Sequence, residues 1–152
     1  MDLITGERIQ QLANVYIGEE EDFCFNPLIR FQKNKHVHIE KLQGTKQWNN
    51  PPIVFFYTHR IKQVSNIINM FMNPVILLSH NSDENIIENE YSLRILECPR
   101  VVSWHSQNVC FKHDKLKMLP IGIANSMWAH GNLAAFYDKP TKKKKYQVFF
   151  NF

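Results

Sequence analysis

The feature that most constrains the fold is a set of short, mostly apolar runs between residues 51 and 121. They are rich in β-branched, aromatic and other apolar residues, and they occupy residues 53–57, 75–79, 100–104 and 117–121. A strand has a continuous apolar sequence when both of its faces are buried, which is typical of a parallel sheet. We therefore predict that these four runs are central strands of one mainly parallel sheet.

The segments between these runs have apolar residues at helical spacing. Apolar residues recur on one helix face over residues 60–72, with Thr58 as the N-cap, and again over residues 84–96, where Ser82 or Asp83 caps the first turn. Strands that alternate with helices of this length build βαβ units with right-handed crossovers. The predicted fold class is therefore α/β, with a Rossmann-like, mostly parallel sheet flanked by helices.

The chain length indicates a single domain. The 152 residues are the size of one folding unit, and we expect residues 51–152 to form the Rossmann-like α/β domain. Residues 1–50 are predicted to be an N-terminal extension or the first α/β elements. They include a helical spacing that follows Thr5 as N-cap and is formed by Ile9, Leu12 and Val15. Because the chain ends inside an apolar strand at residues 146–152, we expect it to be the first half of a longer protein.

The charge of the chain argues against a nucleic-acid-binding face. The formal net charge is +4, and the run 142–145 alone supplies four lysines, so the remainder is neutral. We therefore predict no nucleic-acid partner. Nucleic-acid binding through the lysine run itself remains a third hypothesis.

Targeting and redox features predict a reduced, cytoplasmic protein, whether in its own cell, in a host cell or in a virion. No apolar run approaches the roughly 20 residues that span a bilayer, and residues 1–5 lack the basic and apolar regions of a signal peptide. Cys24, Cys98 and Cys110 form neither a CxxC motif nor a zinc spacing, so we predict free thiols. The oligomeric state stays open.

The loops that follow the predicted strands contain the polar side chains that are candidates for binding a ligand. Open α/β sheets bind ligands at the carboxyl ends of their strands, where these loops meet. The loops are small and polar, and they comprise residues 58–59, 80–85, 105–108 and 122–125. Loop 80–85 is the densest, and two interpretations of it stay open. Ser82 and Asp83 either only cap the following helix, or the loop also contacts a ligand.

The residue types in these loops favour a carbohydrate over a nucleotide. No Gly-rich phosphate loop follows any strand, which argues against a dinucleotide or nucleoside triphosphate site. His59, His80 and His105 follow three successive strands, where they either hydrogen-bond or supply a general base. Segment 104–131 combines aromatic rings, which pack on the CH face of a sugar, with amides, which bind its hydroxyls. Alternatively, the tryptophans of this segment belong to the core.

Three short sequence motifs follow one another in this region. They are His80–Asn85 (HNSDEN), Gln107–Asn108 (QN) and Leu119–Gly131 (LPIGIANSMWAHG). Together they resemble exostosin-like glycosyltransferases, especially the short sequences found in large DNA viruses, algae and bacteria. The resemblance covers about residues 75–152.

The resemblance implies a GT-B fold, in which two Rossmann-like halves face each other across a cleft, and this chain would hold the first half. It also implies transfer of a sugar from a nucleotide-sugar donor to a glycan or protein acceptor, with no cofactor and no metal motif. Direct displacement at the anomeric carbon needs a general base, for which His80 and Asp83 are the candidates. The matching positions for substrate binding are Asn81, Gln107, Asn108, Asn125 and Trp128.

A second hypothesis is a non-catalytic glycan-binding or structural α/β module, such as a viral component. If the cleft faces a sugar, we expect four side chains to lie together, partly exposed, in one concavity: those of His80, Asp83, Gln107 and Asn125. If these residues only cap helices, their side chains should instead turn back onto backbone amides.

Overall fold

The computed structural model describes residues 4–18, 48–125, 128 and 131. Its strands are β1 (Val15–Ile17), β2 (Ile53–Tyr57), β3 (Val75–His80), β4 (Val101–Ser106) and β5 (Leu116–Met118). Its α-helices are α1 (Gly6–Gln11), α2 (Ile61–Ile67) and α3 (Glu90–Glu97), and short 3-10 turns flank α2 at Thr58–Arg60 and Ile68–Met70. The predicted strand at 146–152, the lysine run at 142–145 and Cys24 lie outside the described residues.

The five described strands form one parallel sheet in the order β1-β2-β3-β4-β5. This confirms the predicted α/β class with a Rossmann-like, parallel sheet flanked by helices. The bounds differ at one side of the sheet, since β4 continues to Ser106 and β5 ends at Met118. Beyond β5, the Leu119 N–H donates to the Ser106 carbonyl at 2.7 Å, and the chain then leaves the sheet.

The first strand differs from the prediction, because Val15 fits a helical spacing in the sequence but lies in β1. The predicted helix does begin after Thr5, whose side chain accepts from the Arg8 N–H, but it ends at Gln11. Asn14 then pairs with Ile53 in both directions, through its own N–H at 2.8 Å and through its Oδ1 at 2.9 Å. These bonds draw Val15 into the sheet as the first residue of β1.

The sheet has an apolar core on each face. The larger core joins α2 and α3 to the sheet and includes Phe56, Leu77 and Trp104. The smaller core lies under α1 and includes Ile9 and Phe55. Because parallel strands alternate their side chains, both faces of β2 and β3 are covered, as their continuous apolar sequences predicted.

Tyr16 belongs to the smaller core and is buried with its hydroxyl paired. That hydroxyl donates to the Gln10 carbonyl at 2.9 Å. Burial, reinforced by the charge that Tyr57 would carry, raises the pKa of Tyr16 to about 12. The phenol therefore stays protonated and ties the end of α1 to β1.

The helix after β3 begins later than predicted, so the assignment of Ser82 or Asp83 as its cap is wrong. Ile86 forms an isolated bridge with Val109: its N–H donates to the Asn108 carbonyl at 2.9 Å, and its carbonyl accepts from Cys110 at 2.9 Å. This pairing keeps the chain extended through residue 86. The helix starts only at Glu90.

Asn89 is the N-cap of α3. Its Oδ1 accepts from the Tyr91 and Ser92 N–H groups at 3.0 Å each, and the Ser92 hydroxyl accepts in return from the Asn89 N–H at 3.0 Å. This reciprocal arrangement is a capping box, which satisfies donors that the first helical turn leaves unpaired.

We expect Asn89→Ala to lower the free energy of unfolding by about 1 kcal/mol, because α3 loses its cap. The matched control is Ser82→Ala. It removes a hydroxyl that caps no helix, so it should change the free energy of unfolding by less than about 0.5 kcal/mol. Urea unfolding of the two variants measures the difference. A larger effect in Ser82→Ala would contradict the position of the cap.

Candidate functional site

The polar loops at the carboxyl ends of β3 and β4 enclose a cavity of about 380 Å³. It is open to solvent on one side, and the loop that follows β5 forms its opposite wall. The lining residues are Gly6, His80, Asn81, Ser82, Asp83, Gln107, Ile121, Ile123, Ala124, Asn125 and Trp128. Six of the seven predicted site residues therefore lie on one concavity, at the edge where parallel strands end.

The opposite wall exists because the chain crosses the sheet edge after β5. Leu119 packs against the smaller core, on the α1 side of the sheet. Ile123 then bridges Thr5, and its N–H donates to the Ile4 carbonyl at 2.9 Å. This contact places residues 121–125 beside the first turn of α1, facing the loop that follows β3.

Asn81 occupies the centre of the cavity wall in a left-handed backbone conformation, with φ of 59°. Asparagine adopts this region more readily than most residues. Its side-chain NH₂ donates to Gln10 Oε1 at 3.2 Å, and its Oδ1 accepts from Asn125 Nδ2 at 3.5 Å. An amide NH₂ carries two donors, and each of these bonds uses one, so a second N–H of Asn81 and of Asn125 has no partner among the described residues.

His80 is less accessible than the predicted partly exposed position, at 2% exposed. Its Nδ1 lies 3.1 Å from Asn81 Oδ1, and its Nε2 lies 3.2 Å from the Pro120 carbonyl oxygen. Both ring nitrogens are thus in polar contacts within the protein. These contacts join the loop after β3 to the segment after β5.

Gln107 is also more buried than predicted, at 6% exposed, because it holds the neighbouring loop. Its Oε1 accepts from the Asn81 N–H at 3.3 Å, and its Nε2 donates to the Ser82 carbonyl. The expectation of a partly exposed side chain is therefore wrong for Gln107 and for His80. Both residues shape the cavity wall by fixing the loop that carries Asn81.

Asn125 caps a helix that lies far away in sequence. Its Oδ1 accepts from the Glu7 N–H in the first turn of α1 at 3.0 Å. Gly6 makes room for this contact, because a Cβ at Gly6 would overlap Asn81 Oδ1 and come within 2.9 Å of Asn125 Oδ1. Both amides therefore pack directly against the backbone of α1.

Asp83 is the exposed carboxylate of the cavity. It caps no helix, and among the described residues its carboxylate has no hydrogen-bonding or ionic partner. The neighbouring Ser82 hydroxyl accepts from the Glu84 N–H at 3.3 Å, which closes a local turn. The Asp83 carboxylate is therefore available to a ligand in the cavity.

Two apolar side chains border the cavity on its solvent side. Trp128 is 56% exposed and Ile121 is 63% exposed. The Trp128 N–H donates to the Asn125 carbonyl at 3.0 Å, which fixes its backbone next to the amide cluster. Trp104 differs, since it is fully buried in the larger core and takes no part in the cavity.

Asn108 is the predicted site residue that does not line the cavity. It has a left-handed backbone with φ of 53°, and its Nδ2 donates to the Ser82 carbonyl at 3.4 Å. It therefore stands behind the loop after β3 and supports it.

The three histidines at the strand ends do not form a cluster. His59 is exposed and stacks on the Tyr57 ring, with centroids 5.6 Å apart, and His105 Nε2 lies 3.1 Å from Ser103 Oγ. Burial, with a smaller contribution from Lys117, lowers the pKa of His105. Within residues 4–18, 48–125, 128 and 131, no three His, Cys, Asp or Glu side chains are placed to hold a metal ion.

Sequence reasoning missed two residues of the α1 side, Gly6 and Gln10. Gln10 is fully buried, and its Oε1 accepts from Asn81 Nδ2. Both residues precede the recognisable stretches by about seventy positions. No local pattern in the sequence connects them with the cavity, so only long-range folding reveals their role.

Comparison of the sequence with family models and with curated proteins finds no match to either. The fold and the cavity therefore define the protein at the level of class, as a Rossmann-like α/β domain with an amide-lined cavity at the carboxyl edge of its sheet. No helix in the described part of the chain has the length and apolarity needed to cross a membrane.

Proposed function

We propose that this protein is a glycosyltransferase-like domain of the exostosin type, which binds a sugar in the cavity at the carboxyl edge of its sheet. The observation that carries the proposal is the Asp83 carboxylate, which has no partner among the described residues and lies beside two amides, Asn81 and Asn125, in one concavity. This set of groups suits a hydroxyl-bearing ligand, because amides both donate and accept while a carboxylate accepts.

The other lining residues support a neutral sugar. Trp128 offers an exposed indole, against which the CH face of a sugar ring can pack. Among the described residues that line the cavity, none is lysine or arginine, the usual partners of a diphosphate. We therefore assign this cavity to the sugar acceptor and place the nucleotide-sugar donor elsewhere.

Asp83 is the better of the two predicted bases. In a direct displacement, the acceptor hydroxyl oxygen attacks the anomeric carbon, its proton passes to the Asp83 carboxylate, and the bond from the anomeric carbon to the donor phosphate breaks. His80 is buried, and both of its ring nitrogens are already in polar contacts. We assign His80 to positioning Asn81.

The alternative function is glycan binding without transfer. The burial of His80 favours it, because Asp83 is then the sole exposed ionisable side chain among the described residues that line the cavity. A binding module needs the amides and the indole but has no need of a base. The two functions differ in the expected effect of neutralising Asp83.

We expect Asp83→Asn to leave the free energy of unfolding unchanged within about 0.5 kcal/mol, because Asp83 caps no helix. If the protein transfers sugar, the variant should reduce the transfer rate by about 10²–10⁴, the usual contribution of a general base. The experiment measures binding of a panel of methyl glycosides by saturation-transfer NMR, and transfer from uridine and guanosine diphosphate sugars.

The control is Asp114→Asn, which neutralises an exposed carboxylate outside the cavity. Glycoside binding by the wild type with no transfer from any donor would select the binding module. If the wild type and both variants bind no glycoside, that result would contradict a sugar site at this cavity. Equal transfer rates of Asp83→Asn and Asp114→Asn would contradict Asp83 as the base.

A further inference from the structure

A second cavity lies beside β5 on the opposite face of the sheet, and it shares no lining residue with the first. Its volume is about 400 Å³, and the loop between β4 and β5 forms much of its wall. Leu116 belongs to the larger core, and Met118, two residues along the same strand, projects to the same face. The cavity therefore lies on the α2 and α3 side.

This cavity follows from an unusually short crossover. Parallel strands are normally joined by a dozen or more residues that include a helix, which covers the sheet face. Only residues 107–115 join β4 to β5, and they contain no helix. The bridge between Ile86 and Val109 draws this loop toward α3. Met118 is left 70% exposed as a result.

The floor of the cavity is apolar. Phe111 and Val109 pack against the larger core while also lining the cavity, and Leu116 lies next to them. Binding of a hydrocarbon or an aromatic group on an open apolar surface of this kind is favourable, because it removes apolar area from water.

One side of the cavity carries positive and hydrogen-bond-donating groups. Lys112 is exposed, and among the described residues its ammonium has no hydrogen-bonding or ionic partner. His113 Nδ1 accepts from the Lys115 N–H at 3.1 Å, so the proton of the neutral ring resides on Nε2. Two donors therefore stand beside an apolar floor, which is the complement of a carboxylate with an apolar tail.

We propose that this second cavity binds a small amphipathic carboxylate, with its anionic group at Lys112 and His113 and its tail on Phe111, Leu116 and Met118. This site is independent of the proposed sugar site. Cys110, an exposed thiol in the same wall, offers a direct readout of occupancy.

The test measures the rate at which iodoacetamide alkylates Cys110, by mass spectrometry of the peptide that contains it, with octanoate as the probe. Octanoate should slow alkylation. Butyrate should need a concentration about tenfold higher, because it lacks four methylenes that would be partly buried. Octanol, which keeps the tail but has no charge, should also protect less than octanoate. The circular dichroism spectrum should stay unchanged throughout.

The variant Lys112→Gln should weaken protection by octanoate about two- to fivefold, the size of an exposed ion pair, and leave protection by octanol unchanged. The control Lys117→Gln removes an exposed lysine of β5 outside the cavity and should have no effect. Absence of protection by octanoate, equal protection by octanol, or equal effects of the two variants would overturn the proposal. So would alkylation that slows with rising protein concentration without probe, since a second copy would then cover the cavity.

Discussion

Trp104→Ala is expected to lower the free energy of unfolding by about 3–5 kcal/mol, the range for truncating a large buried aromatic residue. Trp104 is fully buried, and its ring lies 5.8 Å from that of Phe56 between centroids. Its Nε1 donates to Ser79 Oγ at 2.9 Å, and that hydroxyl donates to Ser106 Oγ at 2.7 Å. The substitution therefore opens a cavity and removes a bond from a buried network.

The chain offers a control of the same residue type. Trp128→Ala removes an exposed indole and should change stability by less than about 0.5 kcal/mol, while it weakens glycoside binding. Guanidinium unfolding monitored by circular dichroism compares the two variants. Trp104→Phe, which retains most of the volume, should lie between wild type and Trp104→Ala. Equal destabilisation by the two alanine variants would contradict the burial of Trp104 in the larger core.

Gly6→Ala should abolish glycoside binding and lower the free energy of unfolding by about 1–3 kcal/mol, the cost of overpacking a tight contact. Helix propensity alone predicts the opposite sign, since alanine favours a helix over glycine by about 1 kcal/mol. The structure reverses this expectation because a Cβ at position 6 would overlap Asn81 Oδ1 and crowd Asn125 Oδ1. Both amides of the proposed sugar site would have to move.

The control for this substitution is Gln11→Ala, at the other end of the same helix. It gains helix propensity and lies outside the cavity, so stability and binding should stay near wild-type values. Saturation-transfer NMR and urea unfolding give the two readouts. A Gly6→Ala variant that is more stable than wild type and binds normally would contradict the packing of Asn81 and Asn125 on α1.

The main strands were predictable because their signal is local. β2 and β3 are covered on both faces, which requires an unbroken apolar sequence. β1 was missed because three residues are too few to distinguish a strand from the end of a helix. The start of α3 was also misplaced, since Ser82 and Asp83 are good cap residues by type. The bridge between Ile86 and Val109 decided against them.

Much of the candidate site was predictable for a related reason. Strands that run in the same direction bring the loops at their carboxyl ends to one edge, so Asp83, Gln107 and Asn125 were expected together. Their accessibility was not predictable. Gln107 turned inward because the Asn81 N–H and the Ser82 carbonyl needed partners, a demand that appears only when the loops are folded.

The sequence by itself determined the α/β class, the parallel direction of the main strands and the edge at which polar residues collect, because each depends on patterns within a few residues or within one βαβ unit. Only the tertiary structure decided how that edge closes into a cavity. The bond from the Glu7 N–H to Asn125 Oδ1 joins residues 118 positions apart. A contact at that separation depends on the whole chain being packed, and it leaves no periodicity in the sequence from which it could be predicted.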